Sequence, residues 1–280
     1  MILIAESGST KTDWCLITGN EVLSNATTPG LNPYFVDTIA VAEIIGKQVL
    51  PKLQSTKDIS KVFFYGAGCT TEENCNIIKG ALKQHFPASE IYVLSDMIGA
   101  ARALCGNEAG YVAILGTGSN SCAFKNDKIV EQVSSLGFIL GDEGSGGDIG
   151  KRLLRAYFYK VLPPHLMLAF EKEYSLTLSE ALNSIYKKPQ PNKFIASFSK
   201  FVSENPSPDL TKMVADSFSD FLQNHIMRYN TLESGTPVHF TGSIAFSFKD
   251  ILIQQVHAKN LVLGRILQSP MEGLVKFHVE

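Results

Sequence analysis

The sequence predicts an α/β fold built as two related domains, on three observations. Apolar strand-like runs alternate with amphipathic helical runs over the first hundred or so residues. An opening pattern of apolar strand, small and hydroxylated turn, second strand occurs at the N-terminus and returns later, with Gly8 and Gly118 standing 110 residues apart. Four glycine-containing turns, at 6–12, 66–70, 116–121 and 242–245, sit at the ends of predicted strands. The join between the domains is expected near Gly106–Gly110, giving an N-terminal domain over 1–108 and a C-terminal domain with extra helices over 109–280.

Each element follows from its pattern. "MILI" leads through the turn "AESGSTKTD" into "WCLI". Residues 37–54 carry Ile39, Ala42, Ile45, Val49 and Leu53 at helical spacing. "KVFFYGAG" at 61–68 is a strand ending in glycines, and Thr70 three residues before Glu73 signals the start of a helix. "EIYVLSD" at 90–96 is a strand with a helix beyond it, so a largely parallel sheet is expected. "YVAILGTGSNSCAF" at 111–124 repeats the opening hairpin. Helices are expected from the glycine-rich stretch 141–162, at 192–204 and at 209–229. "PVHFTGSIAFSF" at 237–248 reads as strand, turn and helix, and 261–267 as a last strand. The segment 163–235 carries no usable motif.

Composition narrows the function. A chain of 280 residues with 45% hydrophobic and 19% charged residues has the profile of a soluble globular protein. Net charge is −2 with no basic run, which argues against nucleic acid and against an electrostatic membrane anchor. No apolar run approaches a membrane helix. The five cysteines are scattered without a C-x-x-C, so a reducing cytoplasm is the expected setting. The six histidines show no ligand spacing and receive no role.

Chemistry concentrates in the turns. Glycine lets backbone approach a ligand closely, and successive N–H groups in such turns make anion sites. Two duplicated turns of this kind are the arrangement expected for gripping nucleotide phosphates. A Walker A loop is excluded because "GSTKT" leads into a strand, and "GTGSNS" lacks the third glycine of a dinucleotide fingerprint. Asp96 closes a strand, where a carboxylate can take the proton of an attacking hydroxyl or cap the helix that follows. Glu6, Asp142 and Glu143 are acids in these turns that could serve magnesium, or be solvated loop acids. Asn32 and Asn120 could bond a polyol or simply shape turns.

Taken in order, "ESGSTKTDW", "YGAG", "SD", "GTGSN", "GDEGS" and "TGSIA" resemble the actin-like sugar kinase and heat-shock ATPase superfamily, and within it the N-acetylglucosamine kinase group, whose domain type is shared with the benzoyl-CoA reductase activating ATPases. The resemblance covers nearly the whole chain. It implies two ribonuclease-H-like domains with a nucleotide cleft between them, binding ATP, magnesium and a sugar. A homodimer is compatible with it. Carried over by position, Ser7, Gly8, Ser9, Thr10, Lys11 and Thr12 form a first phosphate loop. Gly116, Thr117, Gly118 and Ser119 form a second, and Gly242 and Ser243 begin the adenosine contact. Asp96 matches the catalytic base, Glu6 a magnesium contact through water, and Asn32, Gly66, Gly68, Asn120, Gly137 and Asp142 the sugar contacts. The family opens its first loop with Asp where this chain has Glu6, and Leu136 stands where its members carry an aromatic residue. The implied activity is phosphorylation of an amino sugar, N-acetylglucosamine foremost, at its 6-hydroxyl. A non-enzymatic sugar or nucleotide sensor and an activator-type ATPase are the alternatives. The activator needs cluster-holding cysteines, for which Cys122 is the lone candidate near the second loop.

Overall fold

Alternation of burial along the first strand sets the plan of the N-terminal half. In the computed structural model, which describes residues 1–56 and 58–279, β1 (Ile2–Ser7) turns Leu3, Ala5 and Ser7 to one face and Ile4 and Glu6 to the other. β2 (Lys11–Thr18) and β3 (Glu21–Pro29) follow through short turns and pair antiparallel. Next come α1 (Thr38–Ile44), β4 (Lys61–Gly66), α2 (Glu72–His85), β5 (Glu90–Ser95) and α3 (Asp96–Cys105). The sheet order is β3-β2-β1-β4-β5, with β1, β4 and β5 parallel. The expected largely parallel sheet is thus a mixed one. A few-residue turn can join only antiparallel neighbours, whereas β1, β4 and β5 are spaced by helical crossovers.

One face of this sheet packs Leu3, Trp14, Leu16 and Phe64 with Val41 and Ile45 near α1 and with Ile78 and Leu82 of α2. The other face packs Ile4, Ile17 and Tyr65 with Ala103 of α3 and Leu274. The helix expected over 37–54 is α1 followed by a π-helical turn at Ile45–Val49 and a 3-10 turn at Leu50–Lys52. Pro51 ends it by removing a backbone donor. α2 is capped by Thr71, which accepts from Asn74 N, and not by Thr70. The turn closed by Cys69 N–H to Gly66 O shifts the start by one residue.

The second sheet has the order β10-β9-β6-β7-β8. Its strands are β6 (Gly110–Leu115), β7 (Ser119–Lys125), β8 (Lys128–Glu131), β9 (Val238–Thr241) and β10 (Leu263–Leu267). β6 and β9 are parallel, as are β9 and β10. Between β8 and β9 run α4 (Gly137–Leu140), α5 (Gly146–Phe158), α6 (Pro164–Tyr174), α7 (Leu178–Tyr186), α8 (Pro191–Ser197), α9 (Ser199–Glu204) and α10 (Pro208–Asn224). α11 (Ser243–Ser247) and α12 (Lys249–Ala258) follow β9, and α13 (Met271–Val279) ends the chain's described part. Phe170, Phe201, Phe218, Phe221 and Phe240 anchor the core here, so the motif-free stretch supplies much of the second hydrophobic centre.

The chain divides into two units, residues 1–108 with 124–129 and 269–279, and residues 109–123 with 130–268. This differs from a single 109–280 span. Gly273 of α13 lies so close to α3 that an added Cβ would stand 2.4 Å from Ala103 O. Arg102 binds Asp127 through two hydrogen bonds of 2.8 Å and lies 5.0 Å from the Phe277 ring. These contacts hold both later segments to the first unit.

Candidate active site

In the first unit the predicted residues gather at the carboxyl ends of β1, β4 and β5, where open α/β sheets bind ligands. The turn after β1 is closed by Gly8 N–H to Lys11 O at 3.0 Å. Gly30 backs it, and an added Cβ there would stand 2.5 Å from Gly8 O. Ser7 is fully buried, and its Oγ is 2.8 Å from Thr12 Oγ1 and accepts from Leu31 N at 3.0 Å. Thr12 Oγ1 also donates to Pro29 O. These two hydroxyls are committed to the fold, which leaves Gly8, Ser9 and Thr10 as the tip of the loop. Lys11 pairs with Asp13 at 2.5 Å.

The turn after β4 lies beside Asn32. Gly68 has φ +84, and a Cβ there would stand 2.5 Å from Asn32 Oδ1, which accepts from Tyr34 N. Asn74 Nδ2 donates to Gly68 O at 2.9 Å. Gly66 is equally confined, by Phe64 and by Cys69 Sγ at 2.9 Å from an added Cβ. Asp96 is the first residue of α3 and not its cap, because Ser95 Oγ accepts from Ile98 N. That leaves the Asp96 carboxylate bonded by backbone alone, from Met97 N at 2.9 Å to Oδ1 and from its own N–H, and no side-chain hydrogen bond reaches it among the described residues. Burial pushes Asp96 up to about 6, against the lowering pull of those backbone bonds. Glu6 is pushed up to about 7, first by burial and then by the charges of Asp96 and Asp13. Opposite β1, Asp13 pairs in register with Glu6, so both carboxyls share a face.

In the second unit three glycine turns converge through backbone. Gly146 N–H and Gly147 N–H, at the start of α5, donate to Gly116 O at 2.8 Å and Thr117 O at 3.0 Å. Gly242, at φ +118, lies against β6 so closely that a Cβ would stand 2.3 Å from Leu115 O. Ser243 opens α11 beyond it. Asp142, at φ +62, directs its carboxylate onto the second loop, accepting from Ser119 N at 3.3 Å and filling the space where Gly118 would carry a Cβ. Burial raises its pKa, with the Ser119 bond and Lys151 opposing. Asn120 Oδ1 accepts from Gln132 Nε2 at 3.1 Å. Gly137, at φ +70, opens α4, with open space where its Cβ would stand.

The residues present fit ATP and magnesium. A Cβ on Gly116 would meet nothing within 4 Å, so bare backbone faces open space there. Ser119 Oγ and Thr241 Oγ1, both beside the glycine turns, are buried without a hydrogen-bond partner. Unpaired buried hydroxyls are costly and mark unmet bonding capacity. Glu6, Asp13 and Asp96 supply hard oxygen donors and mutual repulsion that a divalent cation would offset. No group of three or more side chains among the described residues is arranged to hold a metal alone, so water and phosphate oxygens would complete its shell. A cavity within the second unit lies elsewhere, lined by Val202, Leu210, Val214, Phe248 and Ile251. At about 190 Å³ it falls below the usual volume of a small-molecule site.

Sequence reasoning missed His225, Tyr229 and Ser217, which support the second unit's loops from α10 and just beyond it. A lone histidine after a helix carries no spacing signal, so nothing in the sequence marked it.

No family model and no curated protein matches the chain. Among solved structures, one described as a putative N-acetylglucosamine kinase from Porphyromonas gingivalis is 43% identical, covers 100% of this chain and 99% of its own, and superposes with a TM-score of 0.95. Another so described, from Chromobacterium violaceum, is 15% identical over 99% of this chain and 98% of its own, with a TM-score of 0.76. A ROK family glucokinase from Streptomyces griseus, solved with glucose and AMPPNP, is 13% identical over 99% and 97%, with a TM-score of 0.58. The last two share the fold.

Proposed function

Because the chain belongs to the N-acetylglucosamine kinase-like family of the actin, sugar kinase and heat-shock ATPase superfamily, a family of ATP-dependent carbohydrate kinases, we propose that it transfers the γ-phosphoryl group of ATP to the 6-hydroxyl of N-acetylglucosamine. The observation that carries this reading is Asp96. It stands at a strand's carboxyl end, bonded by backbone N–H groups alone and pushed up to about 6, the range suited to a general base. Asp96 would take the proton from the sugar hydroxyl as that oxygen attacks phosphorus.

The backbone of Gly8–Thr10 and of Gly116–Ser119 would hold phosphate oxygens, and Gly242–Ser243 would approach the nucleoside. By the family resemblance, Asn32, Gly66 and Gly68 in the first unit and Asn120, Gly137 and Asp142 in the second would be the sugar contacts, and Asp142 also braces the second loop. Magnesium, held through water by Glu6, would neutralise charge developing on the phosphates. Rate would come chiefly from positioning and electrostatics. Cys122, the candidate for an activator's cluster, is fully buried in the core, which weighs against that alternative. We place the enzyme in the cytoplasm on its scattered cysteines, which have no C-x-x-C spacing and form no disulfide among the described residues. No helix among the described residues is long and apolar enough to cross a membrane.

The test is ADP release with magnesium and ATP against N-acetylglucosamine, N-acetylmannosamine, glucosamine, glucose and N-acetylmuramic acid. Turnover on N-acetylglucosamine that falls by about 10³ in Asp96→Asn, with sugar binding retained, supports the proposal. Absence of turnover on every sugar, with ATP bound, overturns it and favours a sensor.

A further inference from the structure

Helix α10 has no recognisable motif, yet one side of its C-terminal half faces the glycine-rich loop 141–148. Ser217 Oγ accepts from Gly144 N at 3.0 Å and donates to Asp148 Oδ2 at 2.7 Å. One turn on, Phe221 Cβ stands 2.9 Å from where a Cβ on Gly144 would be, at φ +75. Asn224 Nδ2 donates to Glu143 Oε1 at 3.0 Å. His225, just past the helix end, stacks on Phe221 with centroids 4.8 Å apart. The spacing 217, 221, 224, 225 is one helical face.

His225 is buried and joins two loops. Its Nε2 stands 3.8 Å from Glu143 Oε2, and its Nδ1 is 3.3 Å from Ser121 Oγ. Ser121 Oγ is in turn 2.7 Å from Tyr229 OH, which accepts from Val133 N at 3.2 Å. The proton positions follow from charge. A lone pair on Nε2 would face a carboxylate, so Nε2 carries the hydrogen and Nδ1 accepts. Ser121 therefore donates to His225, and Tyr229 donates to Ser121 while accepting from Val133. Burial lowers the His225 pKa, with Glu143 opposing, which keeps the ring in this neutral form.

We propose that His225 is a positioning residue for the sugar, fixing Asn120 through Ser121 and Asp142 through Glu143. The contacts of His225 lead to three separate segments, to Ser121, through Ser121 and Tyr229 to Val133, and to Glu143. The inference rests on the kinase reading for its substrate, and its structural part stands without it.

The test compares wild type with His225→Phe, His225→Asn and His225→Gln. Phenylalanine keeps the stack on Phe221 and loses both ring nitrogens. Asparagine places an acceptor near the Nδ1 position, and glutamine reaches toward the Nε2 position. The expected result is a KM for N-acetylglucosamine raised about tenfold in His225→Phe, with the KM for ATP changed less than about twofold. His225→Asn recovers most of the loss, since Ser121 is the bonded partner, and His225→Gln recovers less. Hydrogen exchange at amides 119–121 and 141–145 quickens in His225→Phe, whether or not the protein turns over a sugar. An unchanged sugar KM, equal losses in all three variants, or unchanged exchange at those amides would overturn the inference. A wild type inactive on every sugar would overturn the kinase reading alone, and the exchange result would then decide this one.

Discussion

The two duplicated turns look alike in sequence and differ in what their side chains are free to do. In the turn after β1, Ser7 and Thr12 are bonded to each other and to the chain at 29–31, so the hydroxyls build the loop. In the turn after β6, support comes from outside, from two N–H groups at the start of α5, and Ser119 Oγ is left buried without a partner. The neighbours differ as well. The first turn stands among the acids Glu6, Asp13 and Asp96, whereas the second stands among glycines of three segments. A shared strand–turn–strand pattern thus sits among three carboxyls in one unit and, in the other, among glycine backbone with the Asp142 carboxylate against it.

The largest effect expected from this contrast is at Gly242. Alanine there would bring a Cβ to 2.3 Å from Leu115 O at a φ of +118. A cost of about 4 kcal/mol is expected, read as lost stability in urea unfolding. Gly116→Ala meets open space, so stability should hold within about 1 kcal/mol while the KM for ATP rises about tenfold or more. If Gly116→Ala binds ATP as wild type does, the second turn is not a phosphate receptor.

A smaller effect separates the acids of the first unit. The folded chain holds the Glu6 proton more tightly than the unfolded chain, raising its pKa from 4.5 to about 7. Stability from this group is full below pH 4.5 and is lost as pH rises through about 7. Glu6→Gln removes the ionisation and with it the burial penalty and the Asp96 and Asp13 repulsion that act on the Glu6 charge. Its thermal midpoint should exceed that of wild type by roughly 5 °C above neutral pH, an advantage of about 2 kcal/mol, and converge with it under acid. Equal pH profiles for the two proteins would show that Glu6 is not held in a shared acidic field.

Much of this was legible in the residues, and the gaps have physical causes. The glycine turns could be read because φ above zero and close backbone approach demand glycine whatever lies around them, as at Gly68 and Gly242. Asp96 was legible as an acid at a strand end, although its freedom from capping depends on Ser95, whose hydroxyl took that task. The cap of α2 fell one residue late because Thr70 and Thr71 are chemically alike and only the turn at Gly66–Cys69 selects between them. The docking of α13 on the first unit was hidden, since Gly273 against Ala103 is a long-range contact with no local signature. The same holds for α10, where Ser217, Phe221 and Asn224 read as ordinary helix residues until the loop they face is known.

The smallest expected effects are at Ser7 and Ser119, and they should have opposite signs. Ser7→Ala leaves Leu31 N–H buried with no acceptor and takes a partner from Thr12, which costs about 1–2 kcal/mol. The tip residues that would face phosphate are untouched, so the KM for ATP should change less than about twofold. Ser119→Ala removes a hydroxyl that has no partner, so the free protein should be as stable as wild type or gain up to about 1 kcal/mol. If that hydroxyl is completed by a nucleotide oxygen, the KM for ATP should rise about fivefold. Unfolding curves and ATP titrations on the two variants together read all four quantities. A Ser7→Ala protein of normal stability with weakened ATP binding would mean that the first turn also offers its hydroxyls to ligand, and the two turns would then be equivalent in chemistry as well as in sequence.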